Sequence, residues 1–353
     1  MSRVETKLDA FAFERQFLDH LAPVWRALPD DVRGELKTST ALVGHATSLG
    51  LQAVGIDVET IRQRTPPPKA MIREGPRAFV TSIGDTKVAR RFGYSKFAFM
   101  EHGTGQAYIG ERSLAARRHP SYAGGMDRED VELFMVPNEY SAALWRAAYP
   151  TAGVEIVGSP RLDHLHPRRA DGTTTVAISF HWPGFVCAEA DTALGDYLPM
   201  LAELPRRFNV IGHCHPKADW PRRMKRTYDR AGIEFVESFD EVCERADVYV
   251  VDNSSTLYEF ASTGRPVVVL NSRHYRRNVH HGQRFWDAAH VGVNVDAKEH
   301  LVGSIERALR DARTDAERRE DALGLVYAYR TGGALRASDA LSRWSTAALA
   351  GAA

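Results

Sequence analysis

Histidines that directly follow short apolar runs are the first chemically informative feature of this chain. Residues 97–106, FAFMEHGTGQ, place His102 before Gly103, Thr104, Gly105 and Gln106. An imidazole titrates near neutral pH and can serve as a general base, and small residues behind it let a substrate approach the backbone. A hydrogen-bonded structural histidine at a strand end fits the same segment. Residues 209–217, NVIGHCHPK, put His213 and His215 on one face of an extended segment, with Lys217 following. His181 could join them in a zinc set, but no carboxylate or further Cys/His spacing completes one. Two imidazoles and an ammonium suit an anionic ligand better.

Residues 248–270, VYVVDNSSTLYEFASTGRPVVVL, predict a buried strand ending at Asp252, then a helix capped by Asn253, Ser254 and Ser255 and stopping near Gly264. A helix N-terminus offers unpaired N–H groups and about half a positive charge, which suits phosphate. Ser254, Ser255 and Thr256 add hydroxyls there, and Glu259, one turn after Ser255, can accept from ribose hydroxyls. Ordinary helix capping explains the serines equally well. In residues 157–163, VGSPRLD, Pro160 fixes the chain and Arg161 offers a two-pronged donor to phosphate. A surface turn with an Arg–Asp ion pair is the plainer reading of that segment alone. All four segments lie where a strand is expected to end.

Stepping outward to the elements, strands are expected at 41–44, 78–82, 97–101, 133–136 and 154–157, and then at 175–180, 209–212, 247–251, 266–270 and 292–295. Runs such as VYVV and PVVVL are apolar at successive positions, the pattern of strands covered on both faces in a parallel sheet. Leu18, Leu21, Trp25 and Leu28 form a helical stripe that Pro23 should kink or interrupt. Residues 240–245 and 301–309 read as covering helices. The polar stretch 164–172 reads as a linker between domains at 1–165 and 172–330, with 331–353 a helix returning to the first domain. The fold class implied is α/β, two Rossmann-like domains with parallel sheets facing a cleft at the strand ends.

Composition narrows the classes. A chain of 353 residues, 44% hydrophobic, can bury two cores and is not disordered. A net charge of +1, from 46 Lys+Arg against 45 Asp+Glu, argues against a general polyanion binder. The charged N-terminus and the lack of a long apolar run imply a soluble cytoplasmic protein. Cys187, Cys214 and Cys243 read as reduced buried thiols. Paired basic residues are scattered as solvated faces. The exception is 221–226, PRRMKR, which suits an anionic membrane surface or a polyanionic acceptor. Arg112, Arg117, Arg118 and His119 are candidates for an acceptor phosphate.

Taken in order, His102-Gly103-Thr104, the G-x-P-R-x-D of Gly158 to Asp163, His215-Pro216, and Ser254-Ser255 with Glu259-Phe260 and Gly264-Arg265-Pro266 resemble the CDP-glycerol glycerophosphotransferase family. The resemblance spans roughly residues 95–310. It implies a GT-B fold and transfer of glycerol phosphate, or a related group, from a CDP-activated donor to an acceptor hydroxyl. By that resemblance His102 is the base, and His215 neutralises the donor pyrophosphate. Ser254, Ser255 and Thr256 hold phosphate, Glu259 binds ribose, and His213, Lys217 and Arg161 complete the donor set. Gly103, Thr104 and Gln106 fall on the acceptor side. No cofactor and no metal is expected, since donors of charge can stabilise the leaving pyrophosphate. The family's Pro-Leu-Lys after HGT is here Gly105-Gln106-Ala107, and its frequent aspartate in the last motif is Glu259. The alternatives are a GT-B glycosyltransferase acting with a nucleotide sugar on a glycan, lipid or modified nucleic acid, an epimerase of a UDP-sugar, and a non-catalytic nucleotide-binding module.

Overall fold

The computed structural model describes residues 7–65, 76–104, 128–165, 168, 172–183, 191–217, 219–252, 254–275, 282–312 and 315–351. The chain divides into two compact units, the first holding the described residues of 1–102, 124–164 and 327–353, the second those of 103–123 and 165–326.

The first unit is built on a seven-stranded sheet of β1 (Leu8–Phe11), β2 (Arg33–Ser39), β3 (Val54–Ile56), β4 (Arg77–Val80), β5 (Lys96–Met100), β6 (Val131–Val136) and β7 (Gly153–Ile156). Its order is β3-β2-β1-β4-β5-β6-β7, and every pair is parallel. The second unit carries β8 (Thr175–Phe180), β9 (Asn209–Cys214), β10 (Glu234–Phe235), β11 (Val248–Val251), β12 (Val267–Leu270) and β13 (Val293–Val295). Its order is β10-β9-β8-β11-β12-β13, again all parallel. Each chain of strands starts mid-sheet and winds outward in both directions. The winding reverses between β1 and β4 in the first unit and between β8 and β11 in the second. In such sheets a crevice opens beyond the carboxyl ends of the strands at the reversal point.

Burial explains why these segments are strands. β8, β11 and β12 are buried at every position, as parallel strands covered by helices on both faces must be. The helix Trp220–Ala231 covers one edge of the second sheet by burying Trp220, Met224 and Tyr228, spaced one helical turn apart. Tyr228 packs over Gly212, where an added Cβ would lie 2.6 Å from the ring, and its hydroxyl reaches the carbonyls of Ile178 and His213 at 3.0 and 2.9 Å.

In the first unit the helix Arg15–Ala27 buries Phe17, Leu18, Leu21, Val24 and Trp25 and runs straight through Pro23. The buried apolar face on both sides of Pro23 holds the helix together despite the missing N–H. The helix Gly333–Gly351 adds Ala337, Ala340 and Leu341 to the same core, with Ser338 Oγ donating to Ala27 O at 3.0 Å. Its first turn is held by Asp163, whose carboxylate accepts from Ala334 N at 2.7 Å. Gly158 has a φ of +79° and lies so close to Tyr329 that a Cβ would meet the Tyr329 carbonyl oxygen at 2.5 Å. The Gly and Asp of G-x-P-R-x-D therefore serve the packing of the C-terminal helix, and no Arg161–Asp163 surface pair is needed to explain them.

Several expectations are corrected. Residues 41–44 are not a strand: they fall in the 3₁₀ turn Thr40–Leu42 and the helix Val43–Ser48. The strand of that region is β2, RGELKTS, whose polar, half-exposed sequence hides it. β1, β3 and β10 are too short to announce themselves. The segment after Asp252 forms a helix only over Thr256–Ala261, and Gly264, at φ +80°, follows the turn that ends it. Cys214 and Cys243 are buried thiols outside any disulfide, whereas Cys187 lies outside the described residues. Among the described residues no helix is long and apolar enough to cross a membrane. Gly212→Ala should force the Tyr228 ring aside and cost about 1–3 kcal/mol. A lowered urea midpoint with unchanged slope checks it, and an unchanged midpoint would contradict the packing.

Candidate functional site

Two polar clusters form, one at the reversal point of each sheet. In the first unit, β4 ends at Val80 and the next carbonyl, that of Thr81, lies 2.5 Å from His102 Nδ1. A carbonyl oxygen only accepts, so Nδ1 carries the proton, and Nε2 becomes the basic nitrogen of the neutral ring. Phe17 packs edge-on against the His102 ring at 4.6 Å, and His20, on the same helix as Phe17, lies 6.2 Å from it, centroid to centroid. That helix follows β1, so β1, β4 and β5 together place the imidazole.

Asp19 extends this cluster. Its carboxylate meets His45 Nε2 at 2.7 Å, and it feels the positive field of Arg161, which is 7% exposed. Burial alone would raise the Asp19 pKa, but the His45 hydrogen bond and the Arg161 charge outweigh it and hold the carboxyl below its ordinary range. Burial first, then the neighbouring His102 and Arg161, push His20 down to about 3, against the pull of Asp19. Arg161 thus belongs to the first unit's cluster, where its charge acts on Asp19 and His20. The buried Asp85 accepts from Phe13 N at 3.1 Å, and its own N–H donates to Ser82 Oγ at 3.1 Å.

In the second unit the cluster grows from Asp252, the first residue beyond β11. This buried carboxylate accepts from His181 N at 2.8 Å and Ala193 N at 3.1 Å, tying down the segments that follow β8. Burial raises its pKa to about 7, while those N–H groups, the Thr192 hydroxyl and Arg284 pull the other way. His181 Nδ1 lies 2.9 Å from Trp182 O, so that nitrogen also carries the proton. Burial, then the Arg284 charge, lowers the His181 pKa to about 4. The His215 ring stands edge-on to His181 at 4.9 Å, and Lys217 Nζ lies 5.9 Å from the Trp182 ring. Arg284, 6% exposed, is the buried cation of this group.

The remaining expected residues divide. His213 sits deeper, 5% exposed, with Nδ1 3.1 Å from Ser179 Oγ and its ring against Phe239. The Thr256 hydroxyl donates to Ser254 Oγ at 2.9 Å and lies 3.0 Å from Tyr249 Oη. Ser255 is partly exposed and starts the short helix without a side-chain cap, which leaves its hydroxyl as the donor best placed for a ligand. Glu259 is buried on that helix. Gly103 adopts φ +75°, which explains the glycine after His102. Thr104 donates to Val326 O at 3.2 Å, a structural bond. Asn253, Gln106 and the Arg112–His119 group lie outside the described residues.

Sequence reasoning missed Asp19, His20, His45 and Arg284. Asp19 and His20 follow Leu18 inside a helical stripe and read as its polar flank. His45 directly follows the segment 41–44 taken for a strand, and stands in the helix Val43–Ser48. Arg284 stands in a stretch with neither motif nor periodicity, so no local signal marks it.

No family model matches the chain, and no curated protein matches it. Solved structures do. The chain is similar to the wall teichoic acid polymerase TagF at TM-score 0.64 and 12% identity, over 98% of this chain and 90% of that one. It is similar to the UDP-GlcNAc 2-epimerase from Neisseria meningitidis bound to UDP-GlcNAc at TM-score 0.58 and 12% identity, over 96% and 98%. The S. aureus MnaA–UDP structure matches at TM-score 0.62 and 12% identity, over 95% and 94%. At such identities the likeness is one of fold: two parallel Rossmann-like sheets of the GT-B-like kind.

His20 yields a prediction with a definite sign. Its folded pKa lies below the ordinary histidine value near 6.5, so the unfolded chain binds the extra proton, and stability is lost as pH falls from about 6.5 toward 3. His20→Asn should therefore lose less stability than the wild type between neutral pH and pH 4, measured by urea unfolding. Parallel losses would contradict the burial of a neutral His20.

Proposed function

We propose that this chain is a transferase whose second unit binds a nucleotide-activated donor and whose His102 deprotonates an acceptor hydroxyl. The donor in this reading is CDP-glycerol or a related CDP-activated group. The supporting observation is the unequal chemistry of the two reversal points. The first presents an imidazole whose Nδ1–H is held by a backbone carbonyl. The second gathers Arg284, Lys217, His181 and His215 around the ends of β8, β9 and β11.

The reaction follows from those parts. His102 Nε2 takes the acceptor proton, and the acceptor oxygen attacks the phosphorus that bears glycerol. The bond from that phosphorus to the bridging oxygen breaks, and CMP leaves with the electron pair. Arg284 and Lys217 carry the charge that develops on the leaving phosphate, helped by the Ser255 hydroxyl. Glu259 in this reading accepts from the ribose, and His215 faces the pyrophosphate. The motif resemblance to the CDP-glycerol glycerophosphotransferases and the fold likeness to TagF, which has been studied with CDPG, support the cytidine donor.

A nucleotide-sugar donor is the second reading, favoured by the equally good fold likeness to enzymes bound to UDP-GlcNAc and UDP. Thermal shifts with CDP, UDP, GDP, ADP and TDP separate the two, because a ligand of the native state raises the melting point by mass action. A shift selective for CDP and reduced in Ser255→Ala is expected. Selectivity for UDP, GDP or TDP moves the assignment to a glycosyltransferase or epimerase. His102→Ala should lower CMP release from CDP-glycerol by about a hundredfold or more, as loss of a general base does. Release near the wild-type rate would remove His102 from the role of base.

A further inference from the structure

The helix Trp220–Ala231 does a second thing besides covering the edge of its sheet. Its inner face is fully committed: Trp220, Met224 and Tyr228 are buried, and Trp220 Nε1 donates to Phe180 O at 3.3 Å. Its outer face exposes Arg222, Arg223, Lys225, Arg226 and Arg230. Arg222, Arg226 and Arg230 follow one another at four-residue steps, a line with about 6 Å between successive Cα positions. Acidic neighbours cancel only part of this charge. Asp229 pairs with Lys225 at 3.1 Å and Asp219 with Arg222 at 3.8 Å, while Arg223, Arg226 and Arg230 have no ion-pair partner among the described residues. A chain whose net charge is only +1 has concentrated cations here.

We propose that this helix face docks the protein on an anionic phospholipid surface. Charge complementarity selects phosphate-bearing partners. The form of the surface selects among them: Arg223, Arg226 and Arg230 stand on the outside of a helix without an ion-pair partner among the described residues, and the side chain of Arg222, though near Asp219, is 69% exposed. A flexible polyanion held on an exposed helix must lose conformational freedom without a groove to enclose it. A bilayer offers many laterally mobile headgroups that can arrange themselves under the line of arginines. The apolar residues of the helix are turned into the core, so nothing inserts into the lipid, and attachment is electrostatic, reversible and sensitive to salt. The helix also starts three residues after Lys217, so the docked end lies next in sequence to the cationic cluster beyond β9.

Co-sedimentation of the full chain with phosphatidylcholine vesicles, with and without phosphatidylglycerol, tests this. Binding only to the anionic vesicles, weakening as salt rises, is expected. Reversing Arg223→Glu, Arg226→Glu and Arg230→Glu together should weaken it about a hundredfold or more, given roughly fivefold per basic residue near such a surface. Reversing Arg206, Arg307 and Arg310, which are exposed on other elements, should leave most of it. An unchanged thermal melt shows that the triple variant is folded. No binding to anionic vesicles, equal loss in both triple variants, or binding of soluble polyphosphate without binding of vesicles would each overturn the proposal.

Discussion

Strands β8, β11 and β12 are buried on both faces along their whole length, and that burial dictates where this molecule can carry charge. A carboxylate or guanidinium inside such a strand would be desolvated with no partner, at a cost of several kcal/mol. The first charged side chain after β11 is therefore Asp252, where the strand stops. It is still buried, and it is tolerated because two backbone N–H groups from the segments beyond β8 satisfy it. One carboxylate thus ties together the two strands between which the winding reverses. The field of Arg284 reaches both Asp252 and His181, so the cation, the neutral imidazole and the carboxylate are electrostatically coupled at a single place.

The first unit solves the same problem with different groups. A backbone carbonyl backs His102, and it sets the tautomer without adding a charge. The nearest carboxylate of that cluster, Asp19, is engaged by His45 and Arg161. His20 remains neutral among them and adds no positive charge to the cluster. All of this depends on the helix Arg15–Ala27, which carries Asp19 and His20 on the same short stretch as the buried stripe of Phe17, Leu21, Val24 and Trp25.

The parts of the fold that were legible in the sequence are those in which burial leaves a trace in composition. VYVV and PVVVL read as covered strands, and β11 and β12 lie where those runs placed them. β2 was not legible, because RGELKTS is half exposed and its apolar content is a single buried Leu36. The α/β class and the parallel sheets were readable, since period and alternation encode them. The clusters were readable only in part. His102, His215 and Lys217 follow expected strand ends and were singled out, whereas Asp252 was read only as the end of its strand. Arg284, His20 and His45 reach their clusters by tertiary folding from elements with unrelated local patterns. Ser254 and Thr256 show what composition leaves out: the Thr256 hydroxyl next to the helix start donates to Ser254 Oγ and lies against Tyr249 Oη.

The central claim is a division of labour, with donor phosphate held by the second unit and proton removal assigned to the first. Calorimetric titration of CDP into the wild type, Arg284→Ala and His102→Ala measures that division directly. Loss of a charged hydrogen-bond donor is worth about 1.5–3 kcal/mol, so Arg284→Ala should weaken CDP binding by roughly tenfold or more. His102→Ala should leave it within about twofold, below 0.5 kcal/mol, as expected for a group outside the binding site. Equal weakening in both variants, or none in Arg284→Ala, would contradict the account.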